Sequence, residues 1–295
     1  MNPIKQFGFT SILGWSASRY DTFKACRRQY FYNYYAKYDK ENPKHRIDVL
    51  KRMTSIPLET GNIVHDVIEV LLHRLVKTVG PIHMDHFQDY TRRMTEDYCS
   101  KKVFTEVYYR ELSHIDIDEI FRKVQICLNN FLAGERFDWV VKKAIPEKEN
   151  WIIEPGGYGE TRIDGMKAYC KVDFLFPLED NVFILDWKTG KPNETKHRKQ
   201  LLGYASWASY HLSKTPSRIV PIIAYLQPAY LEKKLTFNEF DIQDFTIQVR
   251  KETDEMYAYC RNIPENIPKD KAEFVKTSNP NICAYCNFRE LCDEG

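Results

Sequence analysis

The fold is decided by the stretch Val182-Phe183-Ile184-Leu185-Asp186-Trp187-Lys188-Thr189-Gly190-Lys191. Its apolar first half is typical of a buried strand, in which successive side chains point to opposite faces. Asp186 and Lys188 are therefore expected on one face, at the end of that strand. The same pattern also occurs at solvated strand ends, so its interpretation depends on a second segment.

That segment is an apolar run at residues 168–176, joined to the first by the turn-rich residues 177–181. A hairpin centred between the third and fourth turn residues places Asp173 directly opposite Asp186. Directly opposed residues share a face, with Cβ atoms roughly 4.5 to 5.5 Å apart. Two carboxylates this close repel each other unless a proton or a cation lies between them. The pair therefore predicts a divalent cation with oxygen ligands.

The composition is typical of a globular protein with nearly balanced charge. Among 295 residues, 43 Lys and Arg stand against 41 Asp and Glu, so a nucleic-acid-binding surface has to be a local patch. The N-terminus lacks the apolar region of a signal peptide, and no window approaches the ~18 apolar residues of a membrane span. We therefore expect a cytoplasmic protein without a membrane anchor. Its eight cysteines are then expected to include metal ligands rather than disulfides.

Strands alternate with helices along the chain, which predicts an α/β fold. Apolar spacing predicts helices over about residues 18–37, 63–75, 194–212 and 241–261, and strands over 151–154, 218–226 and 234–237. Pro221 indicates an edge position or a bulge for its strand. Glu154 is either a surface residue or a contributor to the metal site.

The first predicted helix begins at Ser18, where Asp21 completes a capping-box pattern. From Arg19 to Arg52 the chain has ten Lys or Arg, four Asp or Glu, and eight Tyr or Phe. Such interleaving suits a surface that follows a phosphate backbone and stacks bases. It is also typical of an amphipathic helix with tyrosines in the core, which is the commoner origin of the pattern.

Polar residues on two other predicted helices are candidates for the site. His65 lies on the flank of an apolar stripe, a position that usually belongs to a structural histidine but allows it to lean into a neighbouring site. Gln200 and Tyr204 are spaced i, i+4 and share a helix face, which alone indicates only a polar edge.

The C-terminus carries a C-x2-C-x5-C cluster formed by Cys283, Cys286 and Cys292. Three thiolates favour a fourth ligand, and Cys26 is the candidate, although three buried unliganded cysteines would give the same pattern. On spacing alone, a site with four thiolates suits zinc and an iron–sulfur cluster equally well.

Together these residues resemble the iron–sulfur branch of the RecB-like PD-(D/E)XK nucleases, which includes AddB-type nuclease domains, exonuclease V and CRISPR-associated RecB-like exonucleases. The resemblance covers most of the chain and is carried by Ser16-Ala17-Ser18-Arg19 with Cys26, Gly61-Asn62-Ile63-Val64-His65, Val172-Asp173, Ile184 to Gly190, Gln200-x3-Tyr204 and the terminal cysteines. Two positions depart from the pattern. Asp186 stands where many relatives carry Glu, which shortens the reach to the metal, and Arg27 follows Cys26 where Pro is common.

The resemblance implies a restriction-endonuclease-like core, a mixed central sheet flanked by helices, with a helical N-terminal region and a C-terminal iron–sulfur clasp. We expect a single elaborated nuclease domain over residues 1–295. Its parts are an N-terminal segment (1–59), a helical region (60–145), the nuclease core (146–262) and the cysteine clasp (263–295).

The resemblance also implies roles for individual residues. A Mg²⁺ or Mn²⁺ ion is expected to bind His65, Asp173, Asp186 and the Trp187 carbonyl. The attacking water is expected to be positioned or activated by Lys188, and the site and the DNA to be supported by Gln200 and Tyr204. A four-iron cluster is expected on Cys26, Cys283, Cys286 and Cys292.

The expected function is that of a metal-dependent DNA nuclease, an exonuclease on single-stranded DNA or DNA ends. The alternative is a catalytically silent DNA-binding scaffold or partner subunit in repair, recombination or CRISPR adaptation, which the intact Asp173, Asp186 and Lys188 argue against. A redox role is disfavoured because no flavin or nicotinamide fingerprint is present. A Walker A motif is excluded because position 185 is Leu and position 192 is Pro, so unwinding would need a helicase partner.

Overall fold

The computed structural model describes residues 7–153 and 161–293. Glu154, for which the sequence left two roles open, lies outside the described residues. The chain divides into two compact units, each built from separate stretches of sequence. Within the described residues, the first unit comprises 54–153 and 170–243, and the second comprises 7–53, 161–169 and 244–293. The expectation of a single nuclease domain stays a prediction.

The described residues form both helices and a mixed sheet, which confirms the predicted α/β class, but the two do not alternate regularly, because eight α-helices precede the first strand and five strands follow in succession. The strands are β1 (Ile152–Ile153), β2 (Arg162–Ile163), β3 (Met166–Lys167), β4 (Phe174–Leu178), β5 (Asn181–Lys188), β6 (Ile219–Tyr225), β7 (Leu231–Lys234), β8 (Cys260–Asn262) and β9 (Ile267–Pro268). The α-helices are α1 (Ala17–Ala25), α2 (Arg27–Tyr35), α3 (Lys44–Arg52), α4 (Ile56–Lys77), α5 (Met84–Lys101), α6 (Thr105–Tyr108), α7 (Ile117–Ala133), α8 (Glu135–Trp139), α9 (Glu194–Leu212), α10 (Glu239–Tyr257), α11 (Pro280–Ala284) and α12 (Glu290–Asp293).

The first unit is organised around a five-stranded sheet with the order β1-β4-β5-β6-β7. Strands β5 and β6 run parallel, and the other neighbouring pairs in this sheet run antiparallel, so the sheet is mixed, as expected. Helix α9 connects β5 to β6. The edge position that Pro221 indicated is wrong, because β6 has a neighbour on each side. The ladder to β7 begins only at Ile222, so the missing N–H of the proline leaves no gap in that ladder.

The β4–β5 hairpin has the register that the sequence predicts. Phe174 pairs with Leu185, and Leu178 pairs with Asn181 across a two-residue turn. Glu179, in that turn, has a positive φ of 54°. Extending the same register by one residue places Asp173 opposite Asp186.

Helix α4 begins at Ile56, earlier than predicted, because Ser55 caps it by accepting a hydrogen bond from the Leu58 N–H. Gly61 was expected to precede the helix but lies inside it. A Cβ at this position would come within 3.1 Å of Thr189 Oγ1, so the glycine allows α4 to approach the end of β5. Helix α9 has the predicted bounds and is capped by Asn193. The core between these helices, α7 and the sheet includes Ile63, Val67, Val124, Phe131, Phe174 and Trp187.

In the second unit, the single helix predicted over residues 18–37 is wrong. Cys26 has an extended conformation (φ −158°, ψ 115°) that separates α1 from α2. Ser16 rather than Ser18 caps α1, and Cys26 Sγ caps α2 by accepting a hydrogen bond from the Gln29 N–H. Four aromatic side chains of α2 are buried, which supports the core interpretation over base stacking: Tyr30, Phe31, Tyr32 and Tyr35.

In the described part of the chain, no helix combines the length and apolarity needed to cross a membrane.

Candidate active site

Asp186 lies near the end of β5 and is 1% exposed. Its Oδ1 accepts hydrogen bonds from the Tyr204 hydroxyl at 3.0 Å and from Gln200 Nε2 at 3.1 Å. Gln200 also donates to the Tyr204 hydroxyl oxygen at 2.6 Å. The i, i+4 pair on α9 therefore reaches the predicted carboxylate and fixes one of its two oxygens.

Asp173 directly precedes β4 and receives its partners from two other elements. Its Oδ2 accepts the Trp187 N–H at 2.9 Å and lies 3.4 Å from His65 Nδ1 of α4. Burial acts to raise the pKa of Asp173, but His65, Lys188 and the Trp187 N–H outweigh burial and hold the pKa below its usual value. The observed contact of Trp187 is made by its N–H, whereas the metal contact of its carbonyl stays a prediction.

The second oxygen of Asp186, Oδ2, has a different environment. It forms an ion pair with the Lys188 ammonium but has no hydrogen bond of normal geometry to the described residues. Burial and the neighbouring Asp173 charge raise the pKa of Asp186 to about 6, although Lys188 opposes that rise. The negative charge of Asp173 therefore disfavours ionisation of Asp186.

These donors match a divalent cation in kind, because two carboxylates and an imidazole suit Mg²⁺ or Mn²⁺. The pKa of the Asp186 carboxyl group stays raised despite the Lys188 ion pair at Oδ2, which is consistent with a site that favours a further positive charge. The ligand set is nevertheless incomplete as it stands. Among the residues that the structure describes, no group of three or more His, Cys, Asp or Glu side chains could hold a metal ion.

A cavity of about 550 Å³ lies beside the acidic residues, and sequence reasoning did not anticipate it. It reaches His65 and Asp173, and its other lining residues include Pro57, Leu58, Asn62, Tyr98, Lys102, Lys171 and Thr189. The sequence could have indicated two of these residues. Lys171 lies two residues before Asp173 and so shares its face in an extended segment, and Thr189 directly follows Lys188. Tyr98 and Lys102 had none, since α5 carries no motif and reaches the cavity only through the tertiary fold.

A second unpredicted feature is the buried pair of His197 and Tyr225. His197 Nδ1 shares a hydrogen bond of 2.7 Å with the Tyr225 hydroxyl, and Tyr225 pairs with Lys188 across the parallel strands. Burial, together with the positive charges of Lys188 and Lys196, lowers the pKa of His197 to about 4. The imidazole is therefore neutral at pH 7.

In the second unit, the four predicted cysteine ligands line one cavity of about 290 Å³: Cys26, Cys283, Cys286 and Cys292. Cys26 Sγ accepts hydrogen bonds from the Gln29 and Thr277 N–H groups, each at 3.4 Å. Burial raises the pKa of the Cys286 thiol to about 12, and the three neighbouring thiols add to that rise. Here too, the described side chains do not form a group that could hold a metal ion.

Comparison with known proteins gives a family match over nearly the whole chain. Residues 14–293 match the family described as the PD-(D/E)XK nuclease superfamily. No curated protein matches the sequence. A solved structure named "Crystal structure of SSO0001" is similar with 16% sequence identity and a TM-score of 0.30, covering 63% of this chain and 77% of that chain. A similarity this low carries no argument about the present site.

Proposed function

The chain belongs to the PD-(D/E)XK nuclease superfamily of metal-dependent nucleases, and on this premise we propose that it is an exonuclease that digests DNA from single-stranded ends. One observation carries the proposal: Asp186 on β5 lies opposite Asp173, which directly precedes the adjacent strand β4, and Lys188 lies against Asp186. This arrangement suits hydrolysis of a phosphodiester, which needs both charge neutralisation and a positioned water.

In this proposal Asp173, Asp186, His65 and the Trp187 carbonyl hold Mg²⁺ or Mn²⁺. When bound, the cation neutralises charge on the phosphate and lowers the pKa of its bound water. Lys188 holds the attacking water and offsets the negative charge that develops during the reaction. Gln200 and Tyr204 keep Asp186 oriented through its Oδ1, so that Oδ2 stays directed toward Lys188 and the reacting groups.

Two observations support DNA as the substrate. One is the family resemblance, which implies action on DNA ends, and the other is the positive charge near the acidic site. Between Asp186 and Gln200 the chain has five Lys or Arg and two Asp or Glu. Several of these basic residues are exposed at the start of α9, including Lys191, Lys196 and Arg198. A basic surface beside the site attracts the phosphate backbone without specifying sequence. Unwinding of a duplex would be supplied by a helicase partner.

The proposal assigns a four-iron cluster to Cys26, Cys283, Cys286 and Cys292, as a structural clasp without electron transfer. Its support is that the four thiols share one cavity and that two N–H groups already point at Cys26 Sγ. The side chains would have to turn toward a common centre to bind it. The proposal includes a cytoplasmic location, because a reducing compartment keeps thiols available as metal ligands.

A second candidate is a catalytically silent DNA-binding scaffold or partner subunit in repair, recombination or CRISPR adaptation. The ion pair between Lys188 and Asp186 favours it, because the ammonium already occupies a carboxylate oxygen that a cation would need. The two candidates differ in one property, which is turnover.

The test is digestion of end-labelled linear and circular single-stranded DNA by anaerobically purified protein in Mn²⁺. The wild-type protein is expected to digest linear but not circular DNA, and the position of the label gives the polarity. Asp186→Ala and Lys188→Ala are each expected to lower the rate at least ~100-fold, since each removes a charge at the reacting phosphate. Asp180→Ala, which removes an exposed carboxylate from the turn of the same hairpin, is the control and should keep full activity.

Wild-type protein that carries its cluster and binds DNA but leaves it uncut would overturn the enzyme proposal in favour of the scaffold.

A further inference from the structure

The cavity beside Asp173 extends well beyond the acidic residues and has room for a ligand. Its volume of about 550 Å³ lies within the range of about 300 to 1,000 Å³ that is usual for small-ligand sites. Several lining side chains are exposed, among them Asn62, Lys102 and Lys171, so the cavity is accessible from solvent. Because it also reaches Asp173 and His65, an occupant would lie beside the phosphate that reacts.

One wall of the cavity is apolar. Pro57 and Leu58 form it from the first turn of α4, and Leu58 is 56% exposed, so its side chain is accessible to a ligand in the cavity. Tyr98 of α5 adds an aromatic ring, whose hydroxyl donates to Asp66 and so restrains the ring's position. An accessible apolar side chain beside a restrained aromatic ring suits a nucleobase, because every base presents a π-face.

The cavity also carries two cationic side chains. Lys102 follows the last residue of α5, and Lys171 lies two residues before Asp173. Lys102 forms no ion pair with any of the described residues, so its charge is available to a ligand. Of the two acidic residues that line the cavity, Asp66 accepts the Tyr98 hydroxyl and Asp173 belongs to the acidic site. The two lysines balance the two carboxylates in number, and Lys102 is the cation available to a phosphate group.

We propose that this cavity is a subsite for one unstacked terminal nucleotide of single-stranded DNA, with the base against Leu58 and Tyr98 and a phosphate between Lys102 and Lys171. The proposal rests on the nuclease function and deepens it, because it gives a physical basis for acting on single-stranded ends. A nucleotide within a duplex must first leave its stack, at a cost of a few kcal/mol, before it can enter such a cavity. A frayed or single-stranded end avoids that cost.

The test measures binding rather than cleavage. Asp186→Asn protein is mixed with an eight-nucleotide oligodeoxythymidylate that carries fluorescein on an internal base, and affinity is measured by anisotropy. The oligonucleotide is compared with two others that lack either the 5′-terminal or the 3′-terminal base. Removal of the base at one end is expected to weaken binding about tenfold, the size of one base-stacking contact. Adding Leu58→Asp, or the milder Leu58→Ala, should abolish most of that difference because the apolar wall is lost.

The phosphate part of the proposal has its own pair of variants. Lys102→Gln with Lys171→Gln should weaken binding of the intact oligonucleotide about tenfold and reduce the salt dependence of its affinity. The matched control is Lys77→Gln with Lys143→Gln, which removes two exposed lysines of the same unit that do not line the cavity. The control pair should change affinity less than twofold.

The outcomes separate the subsite from the nuclease function. If the wild-type protein cuts no DNA but the terminal base still strengthens binding through Leu58, the subsite is supported and the nuclease function falls. If the wild-type protein cuts DNA but oligonucleotides without a terminal base bind as tightly as the intact one, the subsite is overturned and the nuclease function stands. Absence of any DNA binding overturns both.

Discussion

The acidic site of the first unit and the cysteine cavity of the second were both expected to bind metal, yet they are built differently. Asp186 lies on β5, within the sheet, and its Oδ1 is held by two side chains of α9. The cysteines lie at a break between two helices and on or beside the short helices α11 and α12. A strand ladder fixes the acidic groups, whereas no ladder fixes the thiols.

This difference predicts different consequences of ligand loss. The sheet holds the two carboxylates in place even though they repel each other. Loss of a bound cation should therefore lower catalytic activity more than it lowers stability. In the proposed cluster site, thiols at a helix break and on short helices would gain order from the ligand, so the free energy of binding would become free energy of folding. The acidic site should therefore control activity and the cysteine site should control stability.

The largest effect on stability is expected from Cys286→Ser. Loss of this buried residue, a proposed cluster ligand, should remove iron and lower the melting temperature by about 10 °C or more, given about 2–4 °C per kcal/mol for proteins of about 150–250 residues. The measurement is thermal denaturation by circular dichroism together with iron analysis. Cys99→Ser is the matched control, because Cys99 is also buried but lies outside the cavity, and it should keep its iron. Unchanged iron content in Cys286→Ser would refute the clasp.

A smaller effect is expected when Asp186→Asn is compared with the wild-type protein across pH in the absence of divalent metal. The pKa of Asp186 is raised from 3.8 to about 6 in the folded protein, so protonation favours folding. This stabilisation is complete below about pH 4 and is lost as pH rises through about 6, a change of roughly 2 to 3 kcal/mol. Asn has no proton to lose, so the stability difference between the two proteins should vary with pH over this window.

The measurement is the melting temperature of both proteins in EDTA between pH 4 and pH 7. Asp180→Asn, in the exposed turn of the same hairpin, should follow the wild-type curve. If the wild-type protein instead lost stability relative to Asp186→Asn as the pH fell, the acidic site would not store repulsion and the contrast with the cysteine site would fail.

The smallest effect is expected from Tyr204→Phe. The variant loses a hydrogen bond of 3.0 Å to Asp186 Oδ1 but keeps the one from Gln200, so kcat should fall about tenfold, with KM for DNA little changed. Steady-state digestion of labelled DNA measures both constants. Tyr210→Phe, an exposed tyrosine of the same helix, should leave both unchanged. A Tyr204→Phe protein as active as the wild type would show that Oδ1 needs no support from this hydroxyl.

The most accurate sequence predictions concern local patterns that stay local in the fold. The hairpin register followed from a symmetric turn between two apolar runs, and a one-residue slip would have turned every buried side chain to the other face. The bounds of α9 were predicted from the sequence pattern of residues 194–212, and the structure adds the Asn193 cap at its start. Hydrophobic periodicity and turn chemistry both act over a few residues, which is why they can be read without a structure.

The errors arose where a distant segment overrides a local preference. Gly61 is favourable as a helix start but lies inside α4, because that helix has to pass close to Thr189. Pro221 is typical of an edge but lies in a central strand, because β7 pairs only with the residues that follow it. The break at Cys26 separates a stretch whose helical spacing continues on both sides.

Gln200 and Tyr204 became candidates for the site only through the family resemblance. The sequence patterns by themselves determined the α/β class, the opposition of Asp173 and Asp186, and the position of Lys188 on the same face as Asp186. These follow from strand and helix periods, which are properties of the backbone. Only the tertiary structure shows that Oδ1 of Asp186 accepts the hydrogen bonds from α9 and that His65 lies against Asp173. It also shows that α4, α5 and the strand ends line a cavity. Those features depend on distances between segments far apart in the chain, and such distances are set by packing rather than by any local pattern.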